Sequence, residues 1–396
     1  MKYTSFLWIL IWSGLYSEVC AIDSDCFTAS LYQGVRALLP LLALFLCILS
    51  SLISGLRRVP TFKTSLELLF YYCLIGFIGA FASKEFWTSF YWCSLYLSVI
   101  FVIWYAMNKN SRMDNIRSII NINYIILTVL MCTFLPRALQ SGITELSDLP
   151  FLSGEVTRNG VGRYAVVVVV YSFVRLLTYK KIWRYMYLVF LVPSVYIISQ
   201  TESRSALTGL AIITMIVFWL RGNWKFILIG PIFAHIIWLS GYKLRAAGDF
   251  ERLFSLTGRE MTWSQGIDLV VTSPIYGLGF QADRLMLEFQ HMHNAYLQAL
   301  IQGGILGFIF FAGAILLAWK MIFPYLFLNR LKRIPENQRP LAIESIAMIG
   351  FLTARSFVES TGAFFGIDLL ILLPHICYLQ LLLKEPNNKE KEAVSI

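Results

Sequence analysis

The feature that most restricts this chain is a succession of long apolar runs, each bounded by a short knot of lysine and arginine. A helix needs about 20 apolar residues to cross a bilayer, whereas barrel strands read as alternating segments of about 10. The runs here are unbroken, so they predict a helical bundle in a membrane. Spans are predicted at 4–17, 36–56, 64–83, 86–107, 118–136, 164–178, 185–200, 205–220, 226–241, 295–319, 341–360 and 366–383. Composition agrees: 58% of residues are apolar, 14% are charged and the mean hydropathy is +0.66. A soluble domain carries about 25% charged residues. There is too little polar surface here to cover a water-soluble fold, which excludes a soluble two-domain enzyme, a disordered chain and a nucleic-acid binder. The first run is short and follows Lys2, so a signal peptide is the rival reading. No small-residue cleavage site follows it, and it is read as a span.

The placement of the basic residues orients the bundle. With the N-terminus inside, the inner segments hold Lys2, Arg57, Arg58, Lys63, Lys109, Arg112, Arg117, Lys180, Lys181, Arg184, Arg221 and Lys225. They also hold Lys320, Arg330, Lys332, Arg333, Arg339, Lys384, Lys389 and Lys391. That is the positive-inside pattern, and it puts both termini in the cytoplasm. The net charge of +10 therefore reports topology and requires no acidic soluble partner. Arg175, about one turn from Lys180, is predicted to snorkel to the same surface.

The exceptions carry the functional signal. Arg137, Arg158 and Arg163 fall in an outer loop at about 137–163, and Lys243, Arg245, Arg252, Arg259 and Arg284 in a second at about 242–294. Arg204 sits at an outer turn. Taken singly, each arginine is equally a headgroup contact; as a group they predict an anion site at the outer face. Long ordered loops are uncommon and usually functional. Residues 260–272 read as an amphipathic helix at the outer surface, with Met261, Ile267, Val270 and Val271 as its apolar side and Ser273-Pro274 as its stop.

Of seven cysteines, five lie in apolar runs and behave as small hydrophobes. Cys20 and Cys26 fall in an outer segment, which leaves a local disulfide open. No cysteine or histidine spacing fits a metal, so no metal is expected.

Four places merit weighing. Thr201-Glu202-Ser203-Arg204-Ser205 combines a serine cap with a guanidinium at a helix start, which suits phosphate oxygens; a snorkelling arginine is the plainer reading. Thr257-Gly258-Arg259 opens the amphipathic helix in the same way. His293, beside Asn294, is the candidate proton acceptor, because a histidine of ordinary pKa near 6.5 exchanges protons at neutral pH. His291 is two residues away and competes for that role, and a satisfied hydrogen-bonding histidine is the bland alternative. Arg355 and Glu359, four apart, can pair on one helix face. Ionisable residues at membrane depth are costly, which favours a functional reading, although a structural ion pair explains them equally.

In order along the chain stand Ser203-Arg204-Ser205, Thr257-Gly258-Arg259, Trp263, Pro274-Ile275-Tyr276-Gly277-Leu278-Gly279-Phe280, His291-Met292-His293-Asn294-Ala295-Tyr296-Leu297-Gln298 and Gly303-Gly304. This series resembles the O-antigen ligase and Wzy-type polysaccharide polymerase superfamily, over a core of about 150–320. The resemblance implies an all-α, GT-C-like polytopic fold of about 12 transmembrane helices with two longer periplasmic loops, the whole of 1–396 forming one transmembrane domain. It implies a metal-independent glycosyltransferase of the bacterial inner membrane with a periplasmic active site. Such enzymes move a glycan from undecaprenyl diphosphate to an acceptor sugar, either lipid A-core or a growing chain. By matching motifs, Arg204 and Arg259 would bind the diphosphate and His293 would activate the acceptor hydroxyl. Arg158 and Arg163 would be further diphosphate contacts, with His291, Asn294, Arg355 and Glu359 in support. Ligase and polymerase remain undivided at this level. The alternative from another class is a lipid-linked oligosaccharide flippase, which would place its polar residues near the midplane in repeated halves; the charges here gather at one face.

Overall fold

The computed structural model describes residues 3–16, 27–54, 63–140, 158–178, 182–201, 203–232, 235–236, 259–287 and 291–384. Among these there is no strand, and the architecture is the all-α polytopic one that the apolar runs predict. The principal helices are α1 (Tyr3–Tyr16), α2 (Phe27–Ile53), α3 (Ser65–Gly79), α4 (Phe86–Asn108), α5 (Arg112–Gln140), α6 (Arg158–Thr178), α7 (Met186–Thr201) and α8 (Arg204–Leu220). They continue with α9 (Arg259–Thr272), α10 (Ala282–Met286), α11 (Ala295–Ile322), α12 (Arg339–Ser356) and α13 (Ile367–Lys384).

Six stretches among the described residues are long and apolar enough to cross a membrane: Ser65–Ala82, Phe86–Asn108, Arg112–Pro136, Gly160–Thr178, Ala295–Leu326 and Ile367–Lys384. Tyr3–Leu15, Ala37–Ile53, Met186–Thr201 and Ser205–Leu220 are shorter apolar helices. The run at 226–241 is described only in part, beginning with a 3-10 turn at Trp224–Phe226. Cys20 and Cys26 lie outside the described residues. The outer loop placed at 137–163 is narrower than expected, because α5 runs on to Gln140 and α6 starts at Arg158.

Polar side chains inside the bundle are spent on bonds that helix geometry leaves over. Pro374 in α13 has no N–H, which frees the carbonyl of Leu370 four residues back. The Asn123 amide donates to that carbonyl at 2.8 Å, and its oxygen accepts from the indoles of Trp8 and Trp12 at 2.7 and 2.8 Å. One asparagine on α5 thereby ties α1 to α13.

Arg175 does not snorkel. It is buried, with Nε 2.8 Å from Glu344 Oε2 and Nη2 2.9 Å from Asn121 Oδ1, under the rings of Tyr124 and Tyr171. Its distance from Lys180 along the axis suggested the surface. Its direction around the axis points it inward, at α5 and α12.

Candidate functional site

The motif glycines build the scaffold. Gly304 breaks α11 with a backbone of φ 60° and ψ −162°, so the helix is two segments meeting at a kink. The hydrogen bonds lost there are remade by the incoming loop. The Leu278 and Gly279 amides donate to the carbonyls of Ile301 and Gln302 at 2.9 and 3.0 Å. The Ile305 and Leu306 amides donate to the carbonyls of Pro274 and Ile275 at 2.8 and 3.3 Å. Backbone can come this close only without Cβ atoms: one on Gly277 would overlap Gly304, and Gly277 and Gly279 both have positive φ.

The helix α9 begins at Arg259 and stops before Ser273-Pro274, as the sequence predicts. Its inward side is Trp263, Gly266, Leu269 and Val270, whereas Met261, Ile267 and Val271 stay exposed. The apolar side drawn from periodicity is therefore split, because Val270 packs with the cluster of Leu278, Ala282, Met292 and Ile301. Trp263 donates its indole N–H to the Met292 carbonyl at 2.6 Å, which fixes the segment carrying His293.

His293 itself sits at φ 47°, a left-handed backbone that is rare for a residue with a side chain. Asn294 follows as the N-cap of α11, its Oδ1 accepting from the amides of Tyr296 and Leu297 at 3.0 Å each. The cap and the turn together direct the imidazole at Glu359: His293 Nδ1 lies 2.9 Å from Glu359 Oε2. The Glu359 loop is held from below, since Tyr72 donates to the Ala363 carbonyl at 2.7 Å and Tyr96 to that of Gly362 at 3.0 Å.

Glu359 is a hub. Arg259 Nη2 lies 3.5 Å from its Oε1, and Arg355 Nη2 lies 3.8 Å from its Oε2. Arg259 also donates to the Val358 carbonyl at 2.7 Å. The pairing of Arg355 with Glu359 is made across a turn, because α12 ends at Ser356 and the Glu359 amide donates to the Arg355 carbonyl at 2.9 Å. A second carboxylate, Asp368 in the first turn of α13, takes Arg163 at 3.3 Å and Arg355 at 3.6 Å. Three guanidiniums thus face two carboxylates, which leaves a local excess of positive charge. Arg355 Nε and Nη1 and Arg163 Nε are buried donors with no hydrogen-bond partner among the described residues.

Burial works against the charge on Glu359, but the His293 hydrogen bond and the cations Arg355 and Arg259 outweigh it and hold the carboxyl down to about 2. Glu359 is then ionised and can only accept, so the proton of the His293–Glu359 hydrogen bond sits on His293 Nδ1, and Nε2 is the ring nitrogen left facing away from the carboxylate. Of the His293 side chain 38% is exposed, against 12% for Glu359. His291 stands apart. Its Nδ1 accepts from Arg284 Nε at 3.4 Å, and burial, with help from Arg284 and His293, lowers its pKa to about 4.

The remaining candidates are placed by backbone alone. Arg204 is the first residue of α8, behind the N-cap Ser203, whose hydroxyl accepts from the Ala206 amide. Gly162 packs against Ser203 and Ala206, so the start of α8 lies beside the Gly162-Arg163 turn of α6. Arg158 opens α6. The side chains of Arg204 and Arg158, and all of Thr257 and Gly258, lie outside the described residues.

Residues 189–312 match the family model described as O-antigen ligase. Over this segment the chain is similar to the O-antigen ligase family. The exopolysaccharide production protein ExoQ of Rhizobium meliloti (strain 1021) is similar to this chain, 30% identical over 129 residues. That match covers 28% of this chain and 28% of the relative, so it spans just over a quarter of ExoQ. The O-antigen ligase segment contains Arg204, Arg259, His291, His293 and Asn294. The partners that organise these residues, Arg163, Arg355, Glu359 and Asp368, come from outside it.

Asp368 was missed by the sequence reading. The signal was present: an acidic residue opening an apolar helix is as costly in a membrane as Arg355. Gln298, at the end of the histidine motif, likewise has a partner that spacing hides, donating to buried Asp283 at 2.7 Å.

Proposed function

We propose that this protein transfers a glycan from undecaprenyl diphosphate to an acceptor sugar hydroxyl during surface-polysaccharide assembly, at the periplasmic face of a bacterial inner membrane. The observation that carries this reading is the His293–Glu359 pair at 2.9 Å, flanked by Arg259 and Arg355. The similarity to an exopolysaccharide production protein supports the product class.

In the reaction, His293 Nε2 takes the proton of the acceptor hydroxyl, whose oxygen attacks the anomeric carbon of the donor glycan. The bond from that carbon to the diphosphate breaks, and the electron pair leaves with undecaprenyl diphosphate. Glu359 keeps the imidazole in the tautomer that accepts, and stabilises the imidazolium once formed. Arg259 and Arg204 offset the charge growing on the leaving diphosphate, with Arg158 and Arg163 as further contacts. Such preorganised donors are worth about 10²–10³ in rate each. His291, Asn294 and Arg355 shape the site without touching the reacting atoms. No step uses a metal or a cofactor.

The corresponding architecture is GT-C-like, with about 12 spans and both termini cytoplasmic. The six long apolar helices, the four shorter ones and the charged α12 are compatible with it.

Transfer from undecaprenyl-diphosphate-linked glycan in proteoliposomes tests the reading. Arg259→Ala and His293→Ala should each abolish turnover at unchanged protein abundance; full activity in both would reject it. Surface polysaccharide from a deletion strain separates the two branches. Lipid-linked polymer accumulating without transfer to lipid A-core marks a ligase, and single-repeat product marks a polymerase. A cysteine at position 268 should be labelled from the periplasm.

A further inference from the structure

Two histidines separated by a single residue acquire opposite chemistry. His291 and His293 flank Met292, which is fully buried and whose carbonyl accepts the Trp263 indole N–H at 2.6 Å. Their ring centres are 5.8 Å apart, with the planes inclined at 58°. His293 is committed through Nδ1 to Glu359, an acceptor. His291 is committed through Nδ1 to Arg284, a donor.

The second commitment fixes a proton. A guanidinium stays protonated in a protein and can only donate. The contact of Arg284 Nε with His291 Nδ1 at 3.4 Å therefore requires a lone pair on Nδ1. Arg284 is itself seated, its guanidinium 5.9 Å from the centre of the Phe364 ring in the loop that carries Glu359. A neutral imidazole with a bare Nδ1 holds its one proton on Nε2. The surroundings favour that neutral form: burial, Arg284 and His293 oppose a second proton, only Glu359 favours one, and the pKa falls to about 4. His291 consequently has no lone pair to offer a substrate and does not compete with His293 as the base. It is a fixed donor.

That donor is open. His291 is partly exposed, and among the described residues its Nε2 has no hydrogen-bond partner and is not enclosed. Under the glycosyl-transfer reading the molecule that reaches His293 is a sugar, which carries oxygens on adjacent carbons and can meet two neighbouring imidazoles at once. His291 is uncharged, which suits a hydroxyl oxygen; the guanidiniums of Arg259 and Arg355 gather instead at Glu359.

We propose that His291 is a specificity-determining residue for the acceptor. Its Nε2–H donates to the acceptor-sugar oxygen next to the hydroxyl that His293 deprotonates, so that one hydroxyl among several is presented to the base. This inference rests on the glycosyl-transfer reading above.

Initial rates of transfer in proteoliposomes test it, with undecaprenyl-diphosphate-linked glycan as donor and either lipid A-core or a free repeat-unit oligosaccharide as acceptor, each varied separately. His291→Leu should raise the acceptor KM roughly fivefold, the worth of one neutral hydrogen bond, while the donor KM and kcat change little. His291→Gln should restore the wild-type acceptor KM, because its carbonyl accepts from Arg284 and its amide donates onward. An unchanged acceptor KM in His291→Leu, or a loss of kcat in both variants, would overturn the proposal, since a role in stability alone gives one or the other. An effect confined to the donor KM would also overturn it and assign His291 to the diphosphate. His293→Ala isolates the premise: wild-type transfer there rejects the glycosyl-transfer reading itself, whereas loss in His293→Ala beside an unchanged His291→Leu rejects the acceptor contact alone.

Discussion

Asp368 Oδ2 lies 3.3 Å from Arg163 Nη1, although the two residues are 205 positions apart. The same oxygen is 3.6 Å from Arg355 Nη1, so one carboxylate on α13 spaces a guanidinium from α6 and another from α12. Both cations depend on that one carboxylate for counter-charge.

Removing that charge should loosen the site before it unfolds the bundle. Asp368→Asn is expected to lower glycan transfer at least tenfold, because two buried guanidiniums lose their shared counter-charge and repel. Asp368→Glu should recover part of the rate. Steady-state transfer assays on both variants check this, with the loss expected in kcat more than in KM. Wild-type rates in Asp368→Asn would show that Arg163 and Arg355 are placed by packing alone.

Glu359 and His291 shape the acid side of the stability profile. Held down to about 2 from 4.5, Glu359 contributes stability that is present above pH 4.5 and lost as pH falls through about 2. His291 is lowered from 6.5 to about 4, so the unfolded chain binds a proton that the folded chain refuses. Its effect destabilises progressively as pH falls from 6.5 toward 4. Stability should therefore rise with pH across both windows. Thermal unfolding in detergent should show His291→Gln flattening the profile between pH 4 and 6.5, and Glu359→Gln flattening it below 4.5. Unaltered profiles in these variants would contradict the assignment.

Glu359→Gln should also reduce transfer by about 10² or more, since a glutamine can pair with either imidazole tautomer and no longer favours the one that accepts a proton. Initial rates at neutral pH measure this directly.

The kink in α11 admits no side chain. A methyl group at Gly304 would overlap the Ile275 carbonyl, and φ 60° strains any residue bearing Cβ. Gly304→Ala should push the Pro274–Gly279 loop away, break the four backbone bonds across the kink and lower both stability and transfer. Amide exchange at Leu278 and Gly279 should rise from protected to fast; retained protection would refute the steric argument.

The Arg175–Glu344 pair makes a separate claim about stability. Glu344→Ala leaves a buried guanidinium uncompensated and should cost about 3–5 kcal/mol in unfolding free energy. Replacing both residues, Arg175→Met with Glu344→Leu, should recover most of that loss, because apolar groups of similar volume need no counter-charge. A double variant as unstable as the single one would assign Arg175 a further role.

The apolar runs alone were enough to establish a helical membrane bundle, and the arginines outside the basic knots marked one end as unusual. One cap and one break were equally local: Ser203 and Ser273-Pro274 act within their own turn, so the sequence around them suffices. Arg259, His293, Arg355 and Glu359 could be chosen as candidates because charge in an apolar chain is conspicuous. Which of them meet was a different matter. Helices such as α3 and α4 are apolar all round, so periodicity gives a depth along the axis and no direction around it. Arg175 was misplaced for that reason, and Asp368 was passed over. Only the packing of α6, α9, α12 and α13 around the kink in α11 decided that His293 faces Glu359, because contacts between residues tens to hundreds of positions apart depend on helix rotation, which no local pattern encodes.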